Sequence, residues 1–269
     1  MIRPFRPVRV LAPAVVAGAL LATAACSDEG GGPGAVAVSP AGERSPASPS
    51  ATPALTGAGA KAALITPADI EDNWKLATDA ASWRNSMPVG KVDVAAFLTA
   101  KADAADCQRL LDGLYSDSLL GRASGASGLR GFTSEDSRLL YQVGDYGSAN
   151  LDATLAWLKS LPSKCDQFTA TGKDGGKRTV QVVSAKVPAS GDAREAVTVT
   201  VQGDSGGQPA TYTTDVAVLR IGASGAAVTN GGLSGVDHDS TALAVRSGAQ
   251  RLKDVLSGKT PAPMPSQLD

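Results

Sequence analysis

The stretch "EAVTVTVQGDSGGQPATYTTDVAVLRIG", residues 195–222, decides the fold class of this chain. Val197, Val199 and Val201 alternate with polar residues, which is the period-two pattern of a strand with one apolar and one polar face. Residues 203–209 form a glycine-rich polar break, and β-branched alternation resumes after it. The stretch therefore predicts two antiparallel strands joined by a hairpin turn.

The letters "GDSGG" inside that turn match the nucleophile motif of chymotrypsin-like proteases and also the GxSxG motif of α/β-hydrolases. A chymotrypsin-like triad needs a histidine before the serine, but the single histidine of this chain, His238, follows Ser205. The order Ser205, Asp215, His238 suits an α/β-hydrolase, whose serine must lie between a strand and a helix. Here Pro209 and a second strand follow instead. We therefore predict that Ser205 is a turn residue and that the protein is not an enzyme.

Further strand patterns lie on both sides of the hairpin. The segments "CDQFTATG", "RTVQVVSAKV" and "AAVTNGGL" have β-type composition and are separated by short glycine- or proline-containing breaks. The segment "GLRGFTSEDSRLLYQVGDYG" predicts two more strands around residues 134–137. Together these patterns predict a meander of antiparallel strands in the second half of the domain.

Helical periodicity dominates the first half and returns at the end. Thr66 caps a short helix, and "DVAAFLTAKADAADCQRLLDGLY" contains two helical segments. Asn150 is predicted to cap the helix "NLDATLAWLKSLP", which Pro162 ends, and Gly258 ends the amphipathic segment "DSTALAVRSGAQRLKDVLSG". The predicted fold class is α+β, with a central antiparallel β-sheet, packed helices and a C-terminal closing helix.

The amino terminus has the pattern of an export signal. Arg3, Arg6 and Arg9 precede an uncharged apolar run of 16 residues, and the following "LATAAC" resembles the lipobox of bacterial lipoproteins. We predict a lipoprotein signal peptide at residues 1–25 and a lipidated Cys26 that anchors the protein to the outer face of the cell membrane. Plain secretion after cleavage at residue 25 is the alternative.

The remaining chain divides by composition. Residues 26–60 are rich in Gly, Pro, Ser and Ala and contain no aromatic residue, so we predict a disordered tether. Residues 61–258 are long enough for one domain with its own core, and residues 259–269 form a second low-complexity tail.

Charge and composition exclude several functions. Without residues 1–25 the chain has 22 basic and 26 acidic residues, and it has no basic patch for a nucleic-acid backbone; the densest basic group is Lys173, Lys177 and Arg178. "GKDGGK" lacks the spacing of a phosphate-binding P-loop. Asp237, His238 and Asp239 are adjacent and do not easily converge on one metal ion, and Asp239 or Ser240 is expected to cap the last helix. We predict no metal and no cofactor.

Two cysteines remain after Cys26 is assigned to the lipid, namely Cys107 and Cys165. An even pair in a chain exported to an oxidising compartment predicts one disulfide. A metal-binding or thiol-catalytic role is not favoured, because neither cysteine has a histidine nearby in the sequence and the chain has no CxxC motif.

Several segments resemble a known family. The segments "LITPADI", "DCQRLLDGLY" and "LDATLAWLKSLPSKCDQF", with the final strand-to-helix passage, resemble the extracellular sensor domains of the PknH family, which also occur as free-standing actinobacterial lipoproteins. The resemblance spans residues 62–258 and implies a central antiparallel sheet with packed helices around a ligand cleft. The chain carries fewer cysteine pairs than the kinase member of that family.

Aromatic residues are scarce, so Trp74 and Trp83 are weighed as candidate ligand contacts against the alternative that they only pack in the core. Trp74 and Trp83 flank a polar connection, which we expect to lie beside an opening where the early helices partly cover the polar face of the sheet. We expect a non-catalytic domain that binds a small molecule, a lipid or an envelope fragment there. The alternative is a protein–protein interaction or envelope-assembly module without a small-molecule pocket.

Overall fold

The computed structural model describes residues 54–70 and 73–262. The helices are α1 (Gly57–Ala62), α2 (Val94–Leu98), α3 (Ala105–Gly113), α4 (Ser148–Lys164) and α5 (His238–Leu256), with 3-10 turns at Pro67–Asp69 and Ala80–Ser82. The strands are β1 (Lys75–Ala77), β2 (Pro88–Val89), β3 (Val92–Asp93), β4 (Ala100–Lys101), β5 (Ser127–Ser134), β6 (Ser137–Asp145), β7 (Gln167–Gly172), β8 (Lys177–Ser184), β9 (Ala193–Ser205), β10 (Gln208–Ile221) and β11 (Ser224–Gly232). The predicted α+β class with a C-terminal helix is confirmed.

One antiparallel sheet of nine strands organises the domain, in the order β1-β5-β6-β11-β10-β9-β8-β7-β4. Strands β7 to β11 are neighbours in both sequence and space, which is the predicted meander. In the β9–β10 hairpin, Ser205 pairs with Gln208, and Gly206 and Gly207 have φ values of 62° and 80°. Positive φ at both central positions is the type I′ geometry whose twist matches that of paired strands. The predicted hairpin is therefore confirmed.

Helices pack on both faces of the sheet. Along β10, Val216 and Val218 belong to one hydrophobic cluster, whereas Ala217 and Leu219 belong to a second, as the alternation of a strand requires. The first cluster packs against α2, α3 and α4, and the second against α1 and α5. The domain thus has two hydrophobic cores, one on each side of the sheet.

The covering of the polar face differs from the prediction. The early helices α2 and α3 pack on the apolar face, whereas α5, from the end of the chain, packs over β10 and β11 on the polar face. Over β7 to β9 the polar face is exposed, at residues such as Gln167, Thr179, Gln181 and Gln202. The apolar stripe of α5 packs with apolar residues of β10 and β11, whereas the exposed positions of β7 to β9 on this face are mostly polar.

Helix termini were the weakest part of the sequence prediction. Helix α4 begins at Ser148 rather than at an Asn150 cap, and Pro162 lies inside its last turn. The helix nevertheless continues to Lys164, and the N–H group of Cys165 donates to the Leu161 carbonyl oxygen. Helix α5 is capped by Asp237, which accepts hydrogen bonds from the backbone N–H groups of Asp239 and Ser240. The predicted caps at Asp239 and Ser240 were therefore wrong.

The packed domain begins before the predicted boundary at residue 61. Thr56 caps α1, and its side chain accepts a hydrogen bond from the Gly59 N–H group. Leu55 and Ala60 are buried in the second cluster. The sequence did not predict this short helix because its residues have the same small side chains as the tether. Its contacts with the core are made by Leu55 and by alanine side chains. Cys26, the signal sequence and the rest of the tether up to residue 53 lie outside the described residues.

The predicted disulfide is present. Cys107 at the start of α3 is bonded to Cys165, the residue after α4, with Cα atoms 5.7 Å apart. Both cysteines are buried in the first cluster. The disulfide therefore links α3 to α4, two of the helices that cover one face of the sheet.

Within residues 54–70 and 73–262, none of the helices combines the length and apolar character needed to span a lipid bilayer.

Candidate functional site

A cleft of about 570 Å³ opens where two hairpin turns meet helix α2. The β7–β8 turn and the β9–β10 turn form one side, and α2 with the loop before β2 forms the other. The lining side chains used below are Arg84, Asp93, Phe97, Lys173, Asp174 and Arg178; Ser205 and Gly206 lie at the same opening. The volume lies in the range of small-molecule sites. We call this site the turn cleft.

Arg178 is the central charged group of the turn cleft. Its side chain is only 3% exposed, and its Nη2 donates to Asp174 Oδ2 at 3.1 Å. The guanidinium carbon lies 4.8 Å from the centre of the Phe97 ring, a cation–π distance. Nε of Arg178 has no hydrogen-bond partner among the described residues. A buried guanidinium in this environment is held in place but is incompletely satisfied.

Glycines make the space that Arg178 occupies. A Cβ atom on Gly203 would lie 2.6 Å from Arg178 Cδ and 2.9 Å from the Lys177 carbonyl oxygen. A Cβ atom on Gly176 would lie 2.7 Å from Arg178 Nη1. The contact with the Lys177 backbone cannot be relieved by a side-chain movement, so the position of Arg178 depends on glycine at position 203, and a side chain at position 176 would displace the guanidinium. The glycine-rich turns therefore build the floor of the turn cleft.

Two further cations line the turn cleft. Arg84 Nη1 donates to Thr99 Oγ1 at 2.7 Å, and its Nη2 forms a longer contact of 3.3 Å with Asp112. Lys173 is exposed on the β7–β8 turn and forms no hydrogen bond or ion pair with any described residue. The cleft therefore presents one buried, one partly exposed and one exposed positive group.

Asp174 is the partner of Arg178 and is itself 58% exposed. The N–H group of Gly176 and then the Arg178 guanidinium lower the pKa of the Asp174 carboxyl below its usual value. Because these interactions favour the charged form, Asp174 is a carboxylate at neutral pH. The guanidinium therefore has an intramolecular anion beside it.

The two predicted ligand-binding tryptophans do not line the turn cleft. Trp74 is 3% exposed and belongs to the second cluster, where its Nε1 donates to Ser240 Oγ at 2.9 Å. Trp83 is 1% exposed, belongs to the first cluster and donates to Asp79 Oδ1 at 3.2 Å. The two indoles thus lie on opposite faces of the sheet. The two rings enter different cores, one before and one after strand β1 in the sequence. They therefore do not flank one opening as expected.

Asp215 and His238 are brought together, but Ser205 is not part of the group. His238 Nδ1 lies 2.7 Å from Asp215 Oδ2, and the buried Asp215 also accepts hydrogen bonds from Thr198 and Thr241. Asp215 pairs with Thr198 in the sheet, seven residues along β9 from Ser205. At the rise of a strand this is roughly 23 Å. The hydrolase arrangement of these residues is therefore excluded by the geometry of the hairpin.

We expect the Ser205→Ala substitution to change the free energy of unfolding by less than about 0.5 kcal/mol, because Ser205 is a partly exposed turn residue. Fluorophosphonate probes should not label the protein, since Ser205 has no histidine beside it. Chemical denaturation and mass spectrometry of the probe-treated protein measure both effects. Stoichiometric labelling that disappears in the Ala variant would contradict this prediction.

Sequence reasoning did not select Arg84, Phe97 or Arg178 as site residues. The available signal was the segment "TGKDGGKR", in which glycines surround the densest basic group of the chain. That group was weighed as a nucleic-acid patch and as a P-loop, and neither function was predicted from it. The turn becomes one wall of a cleft only because α2 lies beside it in the folded domain.

Comparisons with known proteins give a weak structural likeness. No family model matches the chain, and no curated protein matches it in sequence. Among solved structures, the extracellular domain of PknH from Mycobacterium tuberculosis is similar with a TM-score of 0.43 and 11% identity. The match covers 78% of this chain and 100% of that domain. A likeness at this level carries no conclusion about what the chain binds.

Proposed function

We propose that this protein is an extracytoplasmic lipoprotein, anchored through Cys26, whose folded domain binds a ligand in the turn cleft without catalysing a reaction. The observation that carries the binding proposal is the buried Arg178 at the base of a cleft of small-molecule size. Arg178 is paired with Asp174, but its Nε has no partner among the described residues, and an incompletely satisfied buried cation beside an open cleft favours a polar ligand.

Binding in the turn cleft is tested by filling it. Ala96 is an exposed residue of α2 that lines the cleft, so Ala96→Trp should block ligands without disturbing the core. Envelope lipids, glycans and muropeptides are screened by thermal unfolding of the purified protein. A ligand that binds only the folded state should stabilise it by about 2.7 kcal/mol at a hundred times its Kd.

The matched control for this test is Ala153→Trp, because Ala153 is also an exposed alanine, lies on helix α4 and does not line the cleft. The expected result is a stabilising compound whose effect is lost in Ala96→Trp and kept in Ala153→Trp. Equal responses in both variants would place binding elsewhere and contradict the assignment of the turn cleft.

The anchor has its own test. Cys26→Ala should produce an uncleaved or mislocalised precursor that takes up no labelled fatty acid, because the lipid is expected on that sulfur. Metabolic labelling followed by gel fluorography measures the incorporation, and Ser27→Ala is the neighbouring control that should be labelled normally. Unchanged labelling of Cys26→Ala would disprove the anchor.

A second candidate function is an interaction or envelope-assembly module. The supporting observation is the exposed polar face over β7 to β9, where Val183 is 47% exposed among glutamine and threonine side chains. A photoreactive residue at position 183 should then crosslink to one partner in intact cells, and the same residue at exposed Ala153 should not. Identical crosslinks at both positions would remove this candidate.

A further inference from the structure

We propose that the turn cleft recognises an anionic oxygen group, a carboxylate or a phosphate, through Arg178, Arg84 and Lys173. This inference rests on the proposed function and adds the chemical class of the ligand. The order of exposure among the three cations gives each a role. Arg178 forms the base, Arg84 the partly buried wall and Lys173 the solvent-facing rim.

The charges of the cleft favour an anion. Its lining includes three cations and two carboxylates, and both carboxylates are already used within the chain. Asp93 Oδ1 accepts hydrogen bonds from the backbone N–H groups of Met87 and Ala96, and caps α2. Asp174 accepts from Gly176 and Arg178. Lys173 makes no such bond with the described residues, so the cleft retains positive charge toward its opening.

The donors of Arg178 are only partly used. A guanidinium has five N–H groups. Among the described residues, Nη2 donates to Asp174, Nη1 makes a 3.4 Å contact with the Lys177 carbonyl oxygen, and Nε has no partner. An oxygen anion matches the remaining donors in charge and in planar geometry, and charge-assisted hydrogen bonds of this kind are about twice as strong as neutral ones. The ligand group therefore adds bonds that the free protein lacks.

In the protein without a ligand, the Asp174 carboxylate forms an ion pair with the Arg178 guanidinium. Asp174 lies on the turn between β7 and β8, next to Gly175 with φ of 77°, and its carboxylate is more than half exposed. An incoming anion competes with this carboxylate for the guanidinium and is repelled by its charge. Removing that charge with Asp174→Asn should therefore strengthen anion binding.

The test is a calorimetric titration of the purified full chain with inorganic phosphate, acetate and the uncharged sugar N-acetylglucosamine. Phosphate or acetate should bind, and the stronger of the two tells whether a phosphate or a carboxylate is the natural group. Arg84→Gln should weaken that binding by about tenfold, and Asp174→Asn should strengthen it severalfold. Arg84 and Asp174 are partly and largely exposed, but Asp174 is the ion-pair partner of the buried Arg178, so thermal unfolding of each variant is measured to check that the fold is retained.

Lys173 and Lys177 provide a matched pair of variants. Both are exposed lysines, but Lys173 lies on the β7–β8 turn and lines the cleft, whereas Lys177 is the first residue of β8, donates to Thr171 Oγ1 and does not line the cleft. Lys173→Gln should weaken anion binding by about two- to fivefold, and Lys177→Gln should leave it unchanged. Equal effects of the two variants, or no effect of Arg84→Gln, would overturn the anion inference.

The outcomes separate this inference from the proposed function. A screened compound that is blocked by Ala96→Trp but unaffected by Arg84→Gln and Lys173→Gln would keep ligand binding in the cleft and reject the anionic group. If Ala96→Trp alters the binding of no probe and no screened compound, both are rejected.

Discussion

Replacing Asp69 with alanine is expected to lower the free energy of unfolding by about 3–5 kcal/mol, the cost of leaving a buried charge without its partner. Asp69 Oδ2 accepts hydrogen bonds from Arg251 Nη1 at 3.1 Å and from the Thr66 N–H group at 2.7 Å. The side chains of Asp69 and Arg251 are buried between the first 3-10 turn and helix α5. The substitution would therefore destabilise the contact that docks the start of the domain onto its last helix.

Chemical denaturation measures this effect, and an exposed ion pair supplies the control. Lys164 Nζ lies 2.7 Å from Asp106 Oδ2, closer than the buried pair, but the two side chains are 56% and 39% exposed. Lys164→Ala should therefore cost less than about 1 kcal/mol. The double variant Asp69→Leu with Arg251→Met should recover much of the loss, since paired apolar replacements often do. A loss no larger than that of Lys164→Ala would contradict the prediction.

Removing the Cys107–Cys165 bridge should lower the free energy of unfolding by about 4 kcal/mol in the loop-entropy model, which gives an upper figure. The bond closes a segment with a sequence separation of 58 residues, and this segment includes β5, β6 and α4. Without the bond, the unfolded chain regains the freedom of that whole segment. The melting temperature should fall accordingly.

The matched variants are Cys107→Ala, Cys165→Ala and the double variant. Because the bond needs both sulfur atoms, each single variant should lose about as much stability as the double variant, and a reductant should add no further loss to any of them. Calorimetric melting under oxidising and reducing conditions measures all four proteins. Additive effects of the two single variants would indicate that cavity formation, and not the lost bond, dominates.

The stability tests and the binding tests are separable. Asp69 and Arg251 contact elements of the second cluster, whereas Phe97 of the turn cleft belongs to the first. Anion affinity of the folded Asp69→Ala protein should therefore equal that of the unsubstituted protein. Arg84→Gln should change affinity with little effect on unfolding, because Arg84 is partly exposed.

Strand prediction succeeded because the signal is local. Alternation in "EAVTVTVQ" and the two glycines of the turn specify a hairpin within one stretch of chain. Helix ends were less predictable because a cap depends on which backbone N–H groups the side chain reaches. Asp239 and Ser240 were the predicted caps for α5, but Asp237 is the residue that caps it, and Ser240 is buried and accepts a hydrogen bond from Trp74 Nε1.

The sequence by itself determined the α+β class, the meander, the hairpin at Ser205 and the cysteine pair, because each depends on periodicity, turn chemistry or a count of residues. Only the tertiary structure decided which groups meet across the fold. Asp69 and Arg251 are 182 residues apart, and Trp74 and Ser240 are 166 apart. The turn cleft likewise needs α2 beside two hairpin turns far along the chain. Such contacts follow from strand order and from the choice of face by each helix, which depend on the summed packing of the whole domain and not on any local pattern.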